Sequence, residues 1–138
     1  MEVCLYEYLP KQAKDIRQQV FVEEQGFCQE FDDIDDIATH VLIFNKNQAV
    51  ATCRYFYNSS LGSYLVGRIA VLKGMRGKKI GALLMQTAQE EITKKGKREM
   101  LVHAQIEAQE FYQKQGFLSL GKEDEEEGHP HIWMKKEW

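Results

Sequence analysis

The residues best suited to chemistry lie in VLKGMRGKKIGALLM, residues 71–85, where Lys73, Arg76, Lys78 and Lys79 crowd a glycine-bearing turn ahead of an apolar-faced helix. The positive end of a helix dipole favours Asp and Glu, so four cations there have the wrong sign unless an anion is to be bound. Backbone NH groups at a strand-to-helix turn form an anion cradle. Gly77 and Gly81 let the main chain come close, and Arg76 with the lysines adds charge-assisted contacts. Phosphate is the natural guest, although on the residues alone a solvated basic turn explains the pattern equally well. Two common phosphate loops fail on spacing. GxxxxGK[ST] meets Leu72 where its first glycine belongs and Lys79 where Ser or Thr belongs, and GxGxxG fails because the glycines fall at 74, 77 and 81.

His129 and His131 alternate in HPH, the outline of a metal pair, but the sequence supplies no third ligand at a completing distance, so no metal is expected. Asp32, Asp33, Asp35 and Asp36, and then Glu123 to Glu127, read as solvated acidic loops. Arg54 and Arg68 fall in β-rich runs, where a structural ion pair is the plain reading and anchoring of an acidic ligand the other. Cys4, Cys28 and Cys53 are odd in number and share no CxxC spacing, as suits reduced thiols; small, mostly buried apolar roles are expected of them.

The chain that must position these groups has 138 residues, one domain's worth, and a single domain over 1–138 is expected. With 43% hydrophobic and 28% charged residues it has an ordinary globular composition. The net charge of −3 makes any basic patch local, so nucleic acid is not an expected partner. No stretch has the length and apolarity of a signal peptide or a membrane span, so a cytoplasmic protein without a membrane partner is expected.

Val3 to Tyr6 reads as a strand, and Pro10 opens a helical segment with Ala13, Ile16, Val20 and Phe21 on one face, ended by Gly26. HVLIFNKNQAVATCRYFYN reads as an antiparallel hairpin folded about Asn45 to Gln48. SYLVGRIAVL is a strand in which Gly67 marks a bulge or a close backbone approach. Ile80, Leu83, Leu84, Ala88 and Ile92 make the apolar stripe of the next helix, with Glu90–Lys94 and Glu91–Lys95 pairs on its wet face. MLVHAQ is a short buried strand, EAQEFYQKQGF a second helix ended by Gly116, and FLSLGK and HIWMKK are closing strands across an acidic stretch. A hairpin followed by strands alternating with helices predicts a mixed α/β sheet.

Two segments together carry a family resemblance. R-G-K-K-I-G, residues 76–81, follows the strand RIAV and resembles the Q/R-x-x-G-x-G/A signature of the GNAT superfamily of acyl-CoA-dependent N-acetyltransferases. Arg76 and Gly81 fill its first and last positions, and Lys79 stands where the family usually has glycine. A lysine in right-handed helical conformation there can still donate its NH. HAQIEAQEFYQKQGF resembles the second signature, a strand followed by A-x-x-F-Y-x-x-x-G-F, matched by Ala108, Phe111, Tyr112, Gly116 and Phe117. IRQQVFVEEQ and EEGHPHIWM are similar to a branch of small single-domain bacterial members.

The resemblance implies a mostly antiparallel sheet, splayed between two parallel central strands and flanked by helices. It implies acetyl-CoA as cosubstrate, its pyrophosphate on the turn at Arg76, Gly77, Lys78, Lys79, Ile80 and Gly81, with Phe111 beside it. Its pantetheine arm would lie along Ile69, Ala70 and Val71, whose backbone NH groups would stabilise developing oxyanion charge. Tyr112 is implied as the acid that protonates the departing thiolate, a role that suits a phenol of pKa near ~10. For the base that an acceptor ammonium requires, Glu24, Glu30, His40, Glu126 and His131 are the candidates. Glu24, Glu126 and His131 are expected to face the acceptor, for which a primary amine on a small molecule is the first reading and one on a protein the other, and the acidic runs would draw a cationic amine in. Related folds pair as dimers, so a homodimer is compatible with this reading. A non-catalytic acyl-CoA-binding module and a nucleotide-phosphate binder are the rival readings of the same turn.

Overall fold

The computed structural model describes residues 1–28 and 30–138. Its seven strands are β1 (Glu2–Tyr6), β2 (Thr39–Asn45), β3 (Gln48–Asn58), β4 (Ser63–Val71), β5 (Glu99–Gln105), β6 (Leu118–Glu126) and β7 (His129–Glu137). They form one sheet in the order β1-β2-β3-β4-β5-β7-β6, antiparallel everywhere except at β4–β5. This is the mixed, mostly antiparallel α/β architecture expected, with its parallel pair at the centre.

Helices cover both faces. Pro10, fixed at φ −74°, opens α1 (Lys11–Arg17), which continues as π-helical turns over Gln18–Glu24. Ala13, Ile16, Val20 and Phe21 are buried with Phe27 against Leu42 and Ala70, so the apolar face read from the sequence packs on one side of the sheet. On the other side α2 (Ile80–Lys94) buries Ile80, Leu84, Met85, Ala88 and Ile92 against Val41, Ala51, Cys53 and Val66. Leu83 is only half-buried, and Lys94 pairs with Glu91 one turn back rather than with Glu90. A short α3 (Gln109–Lys114) inserts Tyr112 into the same core.

The β2–β3 hairpin turns on Lys46 and Asn47, both at positive φ, the two-residue loop whose twist matches that of the strands. Glu127 and Gly128, also at positive φ, make the equivalent turn between β6 and β7. The acidic run is therefore not a loop: Glu123 to Glu126 belong to β6, an exposed edge strand where charge discourages pairing with another chain. The first acidic run is likewise no solvated loop, since Asp33–Asp36 form a 3₁₀ turn with Asp35 buried. The cysteines divide as well: Cys53 is buried, Cys4 is half-buried and Cys28 is exposed, so a mostly buried role fails for the last.

Two departures from regularity shape the centre of the sheet. Between the pairs Thr52↔Ala70 and Arg54↔Gly67, Arg68 and Ile69 of β4 face Cys53 alone, a bulge. The positive φ of this bulge, 51°, belongs to Arg68, and nothing approaches Gly67 closely. The second departure is the parallel seam, in which β4 and β5 pair only at Tyr64↔Met100, Leu65↔Leu101 and Val66↔Val102 before they part.

Candidate active site

Where β4 and β5 part, a cleft of about 1000 Å³ opens. Its walls include Gly67, Arg68 and Ile69 of β4, His103 and Gln105 of β5, Ala108 and Tyr112 beyond it, and His129, His131 and Trp133 of β7. Alternation explains the chemistry of the far wall. Val102, Ala104, Ile132 and Met134 point into the core, so His103, Gln105, His131 and Trp133 must point to the opposite face.

Of the loop ahead of α2, Arg76 lines the cleft, while Gly77 to Gly81 lie beyond its lining. The first intrahelical bond of α2 runs from Leu83 N to Lys79 O, so the preceding amides have no helical partner. Lys79 caps the helix without a side-chain bond, and no acidic residue occupies the first turn. Gly77 takes φ 81°, a conformation open to glycine, while Lys78 and Lys79 are exposed. These residues fit a pyrophosphate through amides without a helical partner and the positive charge of Lys78 and Lys79, while Arg76 is already paired with Glu24. Two expectations change here. Lys79 is left-handed, at φ 62° and ψ 21°, not right-handed helical. Gly81 packs closely on Phe111, since a Cβ there would stand 3.0 Å from Phe111 Cζ and the ring would have to shift by a few tenths of an ångström. Phe111 thus braces the turn from behind.

Arg76 acts as a strut. Its amide reaches the Lys73 carbonyl at 3.4 Å, its Nε donates to the Val71 carbonyl at 2.9 Å, and its two terminal nitrogens each donate to Glu24 at 3.0 Å. Glu24 is occupied by that pair, which ties the π-helical turns to the loop ahead of α2.

Tyr112 sits on the cleft wall with its ring edge-on to Phe111 and Phe117, at centroid distances of 5.1 and 5.6 Å. Burial raises its phenol well above the ordinary value, which keeps the proton on oxygen. Ile69 lines the cleft, while Ala70 and Val71 continue the same strand past the point where β5 departs.

An ion network flanks the cleft at β3 and β4. Buried Arg17 binds Glu30 and Asp35, at 2.7 Å each, Arg54 binds Asp32 at 2.6 Å and Asp35 at 2.8 Å, and Arg68 reaches Glu30 at 3.0 Å. The plain reading of Arg54 and Arg68 as ion-paired residues holds. Glu30 lines the cleft, and its carboxyl is raised because burial outweighs the arginines around it. His40 is buried elsewhere, with Nε2 at 2.9 Å from the Asp35 carbonyl, and does not line the cleft, which removes it as a base.

The far wall collects acceptors. His131, nearly fully buried, and half-exposed Glu126 meet there, joined by His103, to which the sequence reading gave no role. His129 instead stacks its ring on Phe27, centroids 4.3 Å apart. His103 and Arg17 are the residues that sequence reasoning missed. For His103 the signal was present in MLVHAQ, where strict alternation places a histidine off the apolar face.

Residues 4–138 match the acetyltransferase (GNAT) domain family. YyaT of Bacillus subtilis is 33% identical over 137 residues, covering 91% of this chain and 87% of that protein. ElaA of Escherichia coli is 33% identical over 127 residues, covering 88% and 83%; its crystal structure superposes with a TM-score of 0.86 over 99% of both chains at 28% identity. An aminoglycoside 6′-N-acetyltransferase solved with coenzyme A shares the fold at 14% identity, with a TM-score of 0.80 over 99% of this chain and 97% of that one. The chain belongs to the GNAT acetyltransferases, and it is an acyltransferase. Among the described residues no helix is long and apolar enough to cross a membrane.

Proposed function

We propose that the protein transfers acetyl from acetyl-CoA directly to the primary amine of a small molecule. What supports this reading is the cleft: Arg76, just ahead of the unfilled amides of α2, lines it together with a cluster of acceptors, and Tyr112 lies on its wall. The amides of Gly77 to Gly81 and the side chains of Lys78 and Lys79 would hold the pyrophosphate. When bound, acetyl-CoA supplies an activated acetyl group on a thiolate leaving group.

The remaining work falls to the chain. Glu126, His103 and His131 receive an acceptor ammonium through its N–H donors, and an imidazole lone pair takes the proton that the amine must lose before it attacks. The free edge of β4 at Ile69 to Val71 turns NH groups toward the charge developing on the acetyl oxygen. Tyr112 donates its proton to the departing sulfur.

Release of free coenzyme A across a panel of primary amines tests the reading. Tyr112→Phe is expected to lower kcat by roughly 10²- to 10⁴-fold while leaving acetyl-CoA affinity unchanged. Coenzyme A binding without release for any amine would favour the acyl-CoA-binding module instead. Stabilisation by ATP equal to that by acetyl-CoA would favour the nucleotide binder.

A further inference from the structure

Three neighbouring strands bring His103, Glu126 and His131 to one point. Glu126 Oε2 lies 3.7 Å from His103 Nδ1 and 3.8 Å from His131 Nε2, and the ligand atoms of all three lie within 4.8 Å of one another. The outer nitrogen of each ring is already engaged: His103 Nε2 with Asp124 Oδ1 at 2.5 Å, and His131 Nδ1 with the His129 carbonyl at 2.8 Å. A carbonyl and an ionised carboxylate only accept, so both outer nitrogens must carry protons.

In a neutral imidazole the inner nitrogens then present lone pairs, and these face a carboxylate oxygen. Doubly protonated rings would relieve the conflict only by bonding to Glu126, and such charge-assisted bonds close to about 2.7–2.9 Å. Both gaps are nearly an ångström longer. They are close to what a shared cation needs, since Zn–N and Zn–O bonds of ~2.0–2.2 Å put tetrahedral donors roughly 3.3–3.5 Å apart.

We propose that His103, Glu126 and His131 form a site for a divalent first-row transition metal of the Zn²⁺ class, open to the cleft on its fourth side. Two imidazoles and one carboxylate suit zinc, cobalt or nickel, whereas magnesium and calcium prefer all-oxygen sets. Each ring is fixed by an outer hydrogen bond, as metal-ligating histidines are. The ligand set is not the HPH pair that the spacing brings to mind, because His129 is stacked on Phe27. One consequence rests on the acetyl-transfer reading: metal and acceptor ammonium need the same lone pairs, so each excludes the other. Metal binding itself does not depend on that reading.

The test uses the purified chain, stripped with a chelator and free of acetyl-CoA, titrated with Co²⁺ while its visible ligand-field absorption is followed. One equivalent is expected to bind and to be displaced by Zn²⁺. Glu126→Gln and His103→Ala should each weaken binding by more than about 10-fold, and Asp124→Asn by roughly 10- to 100-fold. His129→Ala, which keeps the carbonyl that orients His131, should leave binding unchanged. Absence of Co²⁺ absorption, or binding that survives both Glu126→Gln and His103→Ala, overturns the site. Loss of binding on His129→Ala alone overturns the ligand set. Should His103→Ala fail to fold by circular dichroism, Glu126→Gln, on the half-exposed edge strand, decides. Failure of acetyl transfer with metal binding intact would count against the enzymatic reading and leave this site standing.

Discussion

Single residues set how closely an anion can be approached. Lys79 holds a conformation, φ 62° and ψ 21°, that costs an L-residue roughly 1–2 kcal/mol. Lys79→Gly removes that cost but adds about 0.5–1 kcal/mol of unfolded-state entropy. The net expectation is a gain of about 0.5–1 kcal/mol in chemical denaturation, and an unchanged or lower midpoint would show that the left-handed turn is unstrained. The two signature segments were legible residue by residue because each match is local: a turn residue, a helix-face aromatic, a closing glycine. Arg17 was not. It sits between Ile16 and Val20 on an apolar face, and its partners Glu30 and Asp35 lie 13 and 18 residues on, across a loop that no periodicity governs. His103 was visible as an off-pattern strand histidine, yet its partners come from two other strands.

Among the elements, the ion network decides whether the segment around Asp33–Asp36 stays seated over β3 and β4. Removing one partner from such a buried cluster costs roughly 3–5 kcal/mol, more than any exposed pair on this surface can contribute. Burial would raise the Asp35 carboxyl, but Arg17 and Arg54 outweigh it and hold the pKa at about 2 against an ordinary 3.8. A pKa lower in the folded than in the unfolded chain means stability present above the unfolded value and lost as pH falls from about 3.8 toward about 2. Asp32 shifts in the same direction and Glu30 in the opposite one. Urea unfolding across that range should show wild type losing stability with a steeper slope than Asp35→Asn, which starts lower. Parallel slopes would remove Asp35 as the acid-sensitive group. The β2–β3 and β6–β7 hairpins rest on two-residue loops, and the first was legible from Asn45 to Gln48. FLSLGK was legible as the first part of β6, whereas its acidic second half was hidden because an edge strand exposed on both faces has no reason to alternate.

At the scale of the molecule, strands alternating with helices announced the mixed sheet, but not where its seam would fail. That depends on register, and pairing between β4 and β5 ends at Val66↔Val102. The result is a cleft with carboxylate and imidazole gathered at β5 to β7 and Arg76, from the loop ahead of α2, also on its wall. A ligand at 100 times its dissociation constant stabilises by about 2.7 kcal/mol. With acetyl-CoA at that excess, amide hydrogen exchange should slow on β4 beyond Val66 and on β5 beyond Val102 together; slowing confined to the start of α2 would mean that only the phosphate end is engaged. Three residue pairs are a thin weld between a four-stranded and a three-stranded half. One shared core beneath α2 still holds the halves together, so a ligand laid along the gap would complete only the pairing that the two strands leave unmade.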